Sequence, residues 1–218
     1  QWINNNQYNT MKDFNYYTPT QVVFGRNSEK QVAELIKKYG GTKVLLHYGG
    51  QSAIKSGLLA EIEGYLKEAG IEYMTLGGVV PNPRLSLVYR GIELCRSNGI
   101  DFILAVGGGS VIDSSKAISS GMYYDGDVWD LYLKKDVATR YLPIGCVLTI
   151  PAAGSEMSDG SVITKEEGGL KKDYCTDDFR CKFAIMNPER TFSLPAWQTA
   201  CGVVDIMMHT MERYFTKH

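Results

Sequence analysis

The chain has 218 residues, of which 44% are hydrophobic, and its 23 basic and 24 acidic side chains leave a formal net charge of −1. This length and composition suffice for a sizeable hydrophobic core and place the chain between one large domain and two small ones. The charges of both signs are interspersed, which excludes the basic surface that nucleic acid or an anionic membrane would select.

Targeting and redox signals are weak. The sequence contains no run of roughly 18 to 20 apolar residues that could span a bilayer, and it shows no signal-peptide pattern. Its five cysteines are odd in number and lack CxxC spacing, so we expect reduced thiols in the core rather than a disulfide framework. A cytoplasmic location follows. The Asn-rich residues 1–10 precede Met11 and are expected to be an extension with little structure.

Strand and helix patterns then alternate along the chain. Apolar runs bounded by turn residues predict strands, and apolar residues at a 3.6 period predict helices. The predicted strands are residues 18–25, 43–48, 71–76, 101–106, 144–150, 161–164 and 183–186. The predicted helices between and after them are residues 28–40, 52–70, 84–99, one from 110 and one from about 194. Ser28 is expected to cap the first helix, and Ile54 is expected on the buried face of the second.

Repeated strand–helix–strand units predict an α/β fold with a Rossmann-like parallel sheet flanked by helices. The pattern weakens between residues 125 and 141, and residues 151–160 are predicted to form a loop. In open α/β sheets ligands bind beyond the carboxyl ends of the strands, so the turns at those ends are the first places to search for a site.

The segment VGGGSVID, residues 106–113, places three glycines between a buried strand and a helix. Glycines let a phosphate approach the backbone, and the free N–H groups and the dipole at the helix start would bind it. Ser110 and Asp113 are also spaced as a helix cap and its carboxylate, which by itself explains both residues. The segment does not match the GxGxxG fingerprint, so both interpretations stay open at this point.

A second glycine turn, HYGGQS at residues 47–52, follows the strand at 43–48. Dinucleotide folds often carry an acidic residue here, which binds the ribose 2′-hydroxyl, and Gly49 and Gly50 instead leave room for a 2′-phosphate. A tight turn with Ser52 as a helix cap explains the same residues.

Asp205 and His209 lie four residues apart in a helical pattern, so they share a face and could ligate one divalent cation. A surface pair is the simpler explanation of this spacing. The neighbouring residues nevertheless predict a buried helix, in which a carboxylate would need a partner. These apolar neighbours are Val203, Val204, Ile206, Met207 and Met208.

Taken together, KVLLHYGGQS, VVPNP, AVGGGSVID, CVLTIPAAGSE and GVVDIMMHTMERY, in this order, resemble the iron-containing alcohol dehydrogenase family, in particular its NADPH-dependent butanol dehydrogenase and aldehyde reductase branch. The resemblance covers about residues 11–218. It implies a nucleotide-binding α/β domain of the dehydroquinate synthase-like type at residues 11–193. Residues 194–218 would be the first helix of an all-helical, metal-binding domain.

The resemblance also implies residue roles. Gly108, Gly109 and Ser110 would hold the pyrophosphate of NADP(H), and Asp113 would lie near the nicotinamide and the substrate. Lys171 would hydrogen-bond near the nicotinamide ribose, which makes Asp113 and Lys171 the candidate catalytic residues. The cofactor pocket would also include Asn82 and Thr149.

NAD-preferring members of the family carry an aspartate where this sequence has Gly50. By the resemblance, Gly49, Gly50 and Ser52 therefore favour NADP over NAD.

Asp205 and His209 match the first two metal ligands of the family. The metal, Fe or Zn, would act as a Lewis acid that polarises the carbonyl oxygen during hydride transfer. The family's two other ligands are histidines farther along, whereas this chain has only His47, His209 and His218. His47 is expected to be a packed or hydrogen-bonded residue. We therefore expect the chain not to complete the metal site from its own residues and to have little or no dehydrogenase activity alone.

The resemblance thus predicts the cofactor domain of a metal-dependent dehydrogenase acting on a primary alcohol or aldehyde such as butanol or butanal. Two alternatives stay open: a glycerol dehydrogenase-like enzyme or other metal-dependent relative of the same fold, and a non-catalytic nucleotide-binding module. Family members dimerise through the N-terminal strand region, here about residues 15–25, which implies a homodimer. An unpaired edge strand would favour association in the same way.

Overall fold

The computed structural model describes Asp13 and residues 15–216. The expected extension at residues 1–10 lies outside this range. The strands are β1 (Gln21–Phe24), β2 (Lys43–Tyr48), β3 (Glu72–Leu76), β4 (Phe102–Gly107), β5 (Ile144–Leu148), β6 (Gly160–Lys165), β7 (Leu170–Cys175) and β8 (Phe183–Met186). The helices are α1 (Val32–Lys38), α2 (Ser52–Lys55), α3 (Leu58–Glu68), α4 (Leu85–Asn98), α5 (Gly109–Met122), α6 (Val128–Tyr132) and α7 (Ala196–Phe215).

The predicted parallel sheet is confirmed. Six strands pair in the order β1-β8-β5-β4-β2-β3, and every pair is parallel. β4 and β5 are buried along their whole length, as expected when helices cover both faces of a parallel sheet. One face packs on α4, α5 and α6, and the other packs on α1, α2 and α3. The core therefore has two apolar layers with the sheet between them.

The strand order defines a switch point between β2 and β4. From β2 the chain runs outward to the edge strand β3, whereas from β4 it runs in the opposite direction to β5. The crossover helices therefore leave β2 and β4 on opposite faces of the sheet and open a crevice at their carboxyl ends. Ligands bind in such crevices in open α/β sheets.

The single helix predicted at residues 52–70 is in fact two helices, α2 and α3. Gly57 lies between them with φ of +75°, a left-handed conformation that favours glycine and ends the first helix. The break turns Ile54 away from the core, and its side chain is 46% exposed, so its expected burial is wrong. Ser28 and Ser52 make no capping hydrogen bonds, and Ser28 lies inside a short 3-10 turn.

Two elements were not predicted. Helix α6 lies in the weak region, where the Asp127 carboxylate accepts a hydrogen bond from the Trp129 backbone N–H at 2.9 Å. Strand β7 pairs antiparallel with β6 in a separate hairpin. Five of its six residues are exposed, so it lacks the apolar alternation by which a strand is recognised.

The expected burial fails at the end of the described chain. No residue of α7 is buried, although the helix itself was predicted.

Cys95, Cys146 and Cys181 are buried as expected, but Cys175 and Cys201 are exposed. No helix among the described residues has both the length and the apolar composition needed to cross a membrane.

Candidate active site

The two glycine turns lie side by side at the switch point. Val111, in the first turn of α5, lies between them: its Cγ2 would be 3.7 Å from a Cβ added at Gly49 and 2.5 Å from one added at Gly107. The Gly78 N–H, beyond β3, donates to the Gly49 carbonyl at 3.2 Å. The carboxyl ends of β2, β3 and β4 thus form one continuous surface at the base of the crevice.

Gly108 and Gly109 are packed against the loop that follows β5. A Cβ at Gly108 would lie 2.6 Å from Ile150 Cγ2, and one at Gly109 would lie 3.1 Å from Ala153 Cβ. Thr149 begins this loop, and its N–H donates to the Gly107 carbonyl at 3.1 Å. Glycine is therefore required at both positions because the loop after β5 packs closely against them, whether or not a ligand also binds there.

The start of α5 also leaves donors free. The helix begins at Gly109, and its N-cap is Gly108, without a side-chain capping bond. The first N–H groups of a helix have no intrahelical acceptor, so Gly109 and Ser110 present theirs at the crevice with the positive end of the helix dipole. This arrangement fits a phosphate group. Interpreting Ser110 as a cap and Asp113 as its capping carboxylate is wrong, because the N-cap lies two residues earlier, at Gly108, and the Asp113 carboxylate bonds to Ser155 and Val162 instead.

The Asp113 carboxylate joins α5 to the loop after β5 and to strand β6. Its Oδ1 accepts a hydrogen bond from Ser155 Oγ at 2.6 Å, and its Oδ2 accepts one from the Val162 N–H at 3.1 Å. Burial raises the pKa of this carboxyl, and the Ser155 hydroxyl and the Lys116 ammonium offset part of the rise. Asp113 is thus a fixed, half-buried acid beside the crevice.

Sequence reasoning missed Lys116, three residues after Asp113 on the same helix. Its side chain is fully buried, and its Nζ donates to the carbonyls of Ser155, Ser158 and Gly160 at 2.8 to 2.9 Å. The signal that could have identified Lys116 is its position among the buried residues of α5, because a buried lysine ammonium needs several hydrogen-bond acceptors.

Asn82 and Lys171 meet across the crevice. The Lys171 Nζ, on β7, donates to Asn82 Oδ1 at 2.8 Å. Asn82 has φ of +58°, which asparagine tolerates better than most residues, and the Thr164 N–H donates to the Pro83 carbonyl at 2.8 Å. The hairpin of β6 and β7 is thereby held against the turn before α4. Lys171 also lowers the pKa of Asp113 slightly, which places the two in one electrostatic neighbourhood.

His47 packs beneath the turns as a hydrogen-bonded residue, as expected. Its Nδ1–H donates to the Leu76 carbonyl at 2.7 Å, and its Nε2 accepts from Ser114 Oγ at 2.9 Å. Burial lowers the pKa of His47 to about 4, so the ring is neutral at physiological pH. It joins β2, β3 and α5 below the crevice.

Asp205 and His209 share one face of α7, with 3.7 Å between Asp205 Oδ2 and His209 Nε2. Asp205 borders a cleft of about 640 Å³ between α7 and the loop at residues 150–152. A carboxylate and an imidazole at this spacing fit two ligands of a divalent cation. Within the described part of the chain, no third histidine, cysteine or acidic side chain joins them.

The fold and the crevice define a class of protein: an open α/β domain with a parallel six-stranded sheet and a crevice at its switch point. Residues 19–188 match the family model described as iron-containing alcohol dehydrogenase. The chain belongs to this family.

Similar proteins carry related names. The chain is 49% identical over 205 residues to a probable NADH-dependent butanol dehydrogenase of Bacillus subtilis, with 94% of this chain and 52% of the relative covered. It is 37% identical to the NADPH-dependent aldehyde reductase YqhD of Escherichia coli over 95% of this chain and 53% of that protein.

Among solved structures, the NADH-dependent butanol dehydrogenase A of Thermotoga maritima superposes with a TM-score of 0.91 at 41% identity, covering 94% of this chain and 52% of that one. The chain thus spans about half the length of the curated relatives it matches.

Proposed function

We propose that the chain is the cofactor-binding part of a metal-dependent alcohol dehydrogenase or aldehyde reductase. The enzyme would transfer hydride between NADP(H) and a primary alcohol or aldehyde such as butanol or butanal. The observation that carries this proposal is the convergence of two glycine turns, free helix N–H groups and the half-buried Asp113 at one switch point. Family membership and the names of the relatives support the reaction class.

In the proposed complex the backbone N–H groups of Gly109 and Ser110 bind the pyrophosphate, and the backbone of Gly108 lies beside it. Lys171, already bonded to Asn82, donates to the nicotinamide ribose, and Thr149 lines the same pocket. Asp113 lies beside the nicotinamide and the substrate, where its position is fixed by Ser155 and Val162.

The turn at Gly49, Gly50 and Ser52 is proposed to accept a 2′-phosphate. A Cβ added at Gly50 would meet nothing within 4 Å, so the space is open, and β2 ends without an acidic side chain. Some relatives are named as NADH-dependent and others as NADPH-dependent, so the cofactor is decided within the family by local residues such as these.

Asp205 and His209 are proposed to supply two ligands of an Fe or Zn ion. When bound, the metal supplies Lewis-acid polarisation of the substrate oxygen. Because only two ligands converge among the described residues, we expect weak metal binding and little or no dehydrogenase activity from the chain alone. The same observation favours the second candidate, a nucleotide-binding module without catalysis.

The homodimer is proposed to form through residues 15–25. In the described structure β1 pairs with β8 on one side only, and Val22 and Phe24 are 45% and 71% exposed. An apolar, unpaired edge strand is a template for a second copy. The cytoplasmic location and the domain division at residues 193 and 194 remain predictions.

The first experiment is calorimetric titration of the chain with NADPH and NADH, together with the Gly50→Asp variant. We expect the parent chain to bind NADPH more tightly. The introduced carboxylate should repel the 2′-phosphate and weaken NADPH binding by about tenfold or more, which corresponds to about 1.4 kcal/mol. NADH binding should hold or improve, because aspartate accepts from the 2′-hydroxyl.

Gly50→Asn is the matched control, because it has the same size as Gly50→Asp without the charge. It should retain most of the NADPH affinity. Equal affinity of the parent chain for both cofactors would contradict the NADP preference, and the absence of binding for both would contradict the cofactor site.

A further inference from the structure

The ammonium group of Lys116 lies in a cage of oxygens. Besides the three carbonyls of Ser155, Ser158 and Gly160, the hydroxyls of Ser155 and Ser158 lie 3.3 and 3.2 Å from its Nζ. All five are neutral oxygens, and all belong to residues 155–160. A compact cation surrounded by backbone carbonyls and hydroxyls resembles the coordination of a dehydrated potassium ion.

Burial disfavours the positive charge of Lys116, and its polar surroundings offset part of that cost. Burial lowers the pKa of Lys116, but Cys181, Asp113, Cys146 and Asp159 act in the opposite direction. The oxygens satisfy all three N–H groups, which offsets the cost of removing the ammonium from water. The buried ammonium of Lys116 therefore interacts with the loop oxygens of residues 155–160 and not with solvent.

The loop at residues 150–160 forms one wall of the proposed cofactor crevice. At one end Ile150 and Ala153 contact the glycine turn, and at the other Ser155 donates to Asp113. Residues 150–152 also line the cleft that Asp205 borders. Between these contacts the loop contains no regular helix or strand, so something else must fix its shape.

We propose that Lys116 is a positioning residue that acts as a built-in monovalent cation. Its ammonium gathers residues 155–160 and so fixes the Ser155 hydroxyl on the Asp113 carboxylate and the wall of the crevice. It contacts no cofactor itself. Its effect on nucleotide binding rests on the proposed function, whereas its effect on the loop does not.

The test is hydrogen exchange of the full chain and its Lys116→Met variant. Methionine retains the length of the aliphatic stem but lacks the Nζ, so the oxygen cage is left without its cation. We expect exchange across residues 153–163 to accelerate about tenfold or more, since the loop opens locally, while α4 stays protected. Potassium or ammonium chloride should restore slow exchange in the variant. Tetramethylammonium chloride at equal ionic strength should not, because that ion is too large for the cage.

Ile118→Ala is the matched control, since it removes buried packing between α5 and α4 without touching the loop. It should raise exchange across both helices without selectivity for the loop and without a potassium response. Loop exchange in Lys116→Met that equals that of the parent chain, or that follows the pattern of Ile118→Ala, would overturn the proposal.

Lys116→Arg is the second variant, in case the methionine variant does not fold. It keeps the charge but replaces the compact ammonium with a larger planar group. We expect faster loop exchange with no response to potassium, and unchanged loop exchange would overturn the proposal.

NADPH titration in parallel should show weaker binding by Lys116→Met and recovery in potassium chloride. If the parent chain binds no nucleotide, the proposed function fails while the exchange result still decides the role of Lys116.

Discussion

Three polar residues below and beside the crevice have hydrogen-bond partners that explain their chemistry. His47, Asp113 and Lys116 would each be costly to bury alone, and each makes two or more hydrogen bonds with residues distant in sequence. The sequence identified Asp113 through a family pattern and His47 as a packed residue. The sequence did not identify Lys116, because the acceptors of its ammonium are carbonyls of a loop whose conformation cannot be predicted from local residue patterns.

At the residue scale, His47 makes stability depend on pH. Its pKa is about 4 in the folded chain and 6.5 for an ordinary histidine, so between these values the unfolded chain binds more protons. Lowering the pH from 6.5 to 4 should therefore cost about 3 kcal/mol of unfolding free energy from this residue. The loss should be complete below about pH 4 and absent above about pH 6.5.

Urea unfolding at a series of pH values measures this effect. His47→Gln should be less stable at neutral pH but should show a flatter profile between pH 6.5 and 4. The exposed His209→Gln is the control and should leave the slope unchanged. An equal slope in the parent chain and His47→Gln would show that other groups cause the acid sensitivity.

At the element scale, glycines set the approach of α4 to α5. A Cβ at Gly91 would lie 2.3 Å from Ile118 Cδ1, and one at Gly121 would lie 2.2 Å from Ile92 Cδ1. The two helices therefore cross with each glycine facing an isoleucine. The amphipathic period predicts that these helices pack, but the closeness of the crossing depends on which residues meet there.

We expect Gly91→Ala to lower the unfolding free energy by about 1–3 kcal/mol, because the added methyl group clashes with a packed side chain. Gly64→Ala in α3 is the matched control, since a Cβ there meets nothing within 4 Å. It should raise stability by about 0.5–1 kcal/mol through helix propensity. Thermal or urea unfolding of both variants checks the sign of each change, and a stabilising Gly91→Ala would contradict the tight crossing.

At the scale of the whole molecule, a buried acid joins the two ends of the α/β unit. Glu29 is fully buried and accepts from Arg190 Nε at 2.5 Å and from Asn187 Nδ2 at 3.1 Å. Arg190 also bonds to Glu61 of α3. These contacts fix the segment that leaves β8 and leads to α7, across more than 150 residues of sequence.

Arg190→Ala should cost about 3–5 kcal/mol, because it leaves the Glu29 carboxylate buried without its cation. Adding Glu29→Gln to this variant should recover part of the loss. Arg26→Ala is the control: Arg26 forms an exposed pair with Glu189 at 3.0 Å, worth about 0–1 kcal/mol. Similar urea midpoints for Arg190→Ala and Arg26→Ala would contradict the structural role of the buried pair.

The sequence by itself determined most of the strands and helices in their order, the parallel sheet and the glycine turns, and it indicated the candidate ligands Asp205 and His209. These features depend on local periodicity, on turn residues and on short spacings, all of which involve residues close together in the sequence. The unbroken helix across Gly57 was wrong because a left-handed backbone at a single residue overrides a periodic pattern. The caps at Ser28, Ser52 and Ser110 were wrong because each of these helical segments begins at or before the serine.

Only the tertiary structure decided that Asp113 bonds to Ser155, that Asn82 meets Lys171, that Lys116 lies in an oxygen cage and that α7 has no buried residue. Each of these depends on segments that are far apart in the chain and are brought together by the crossovers of the sheet. Burial and hydrogen bonding are properties of that assembled arrangement, so no local pattern of residue types could have fixed them.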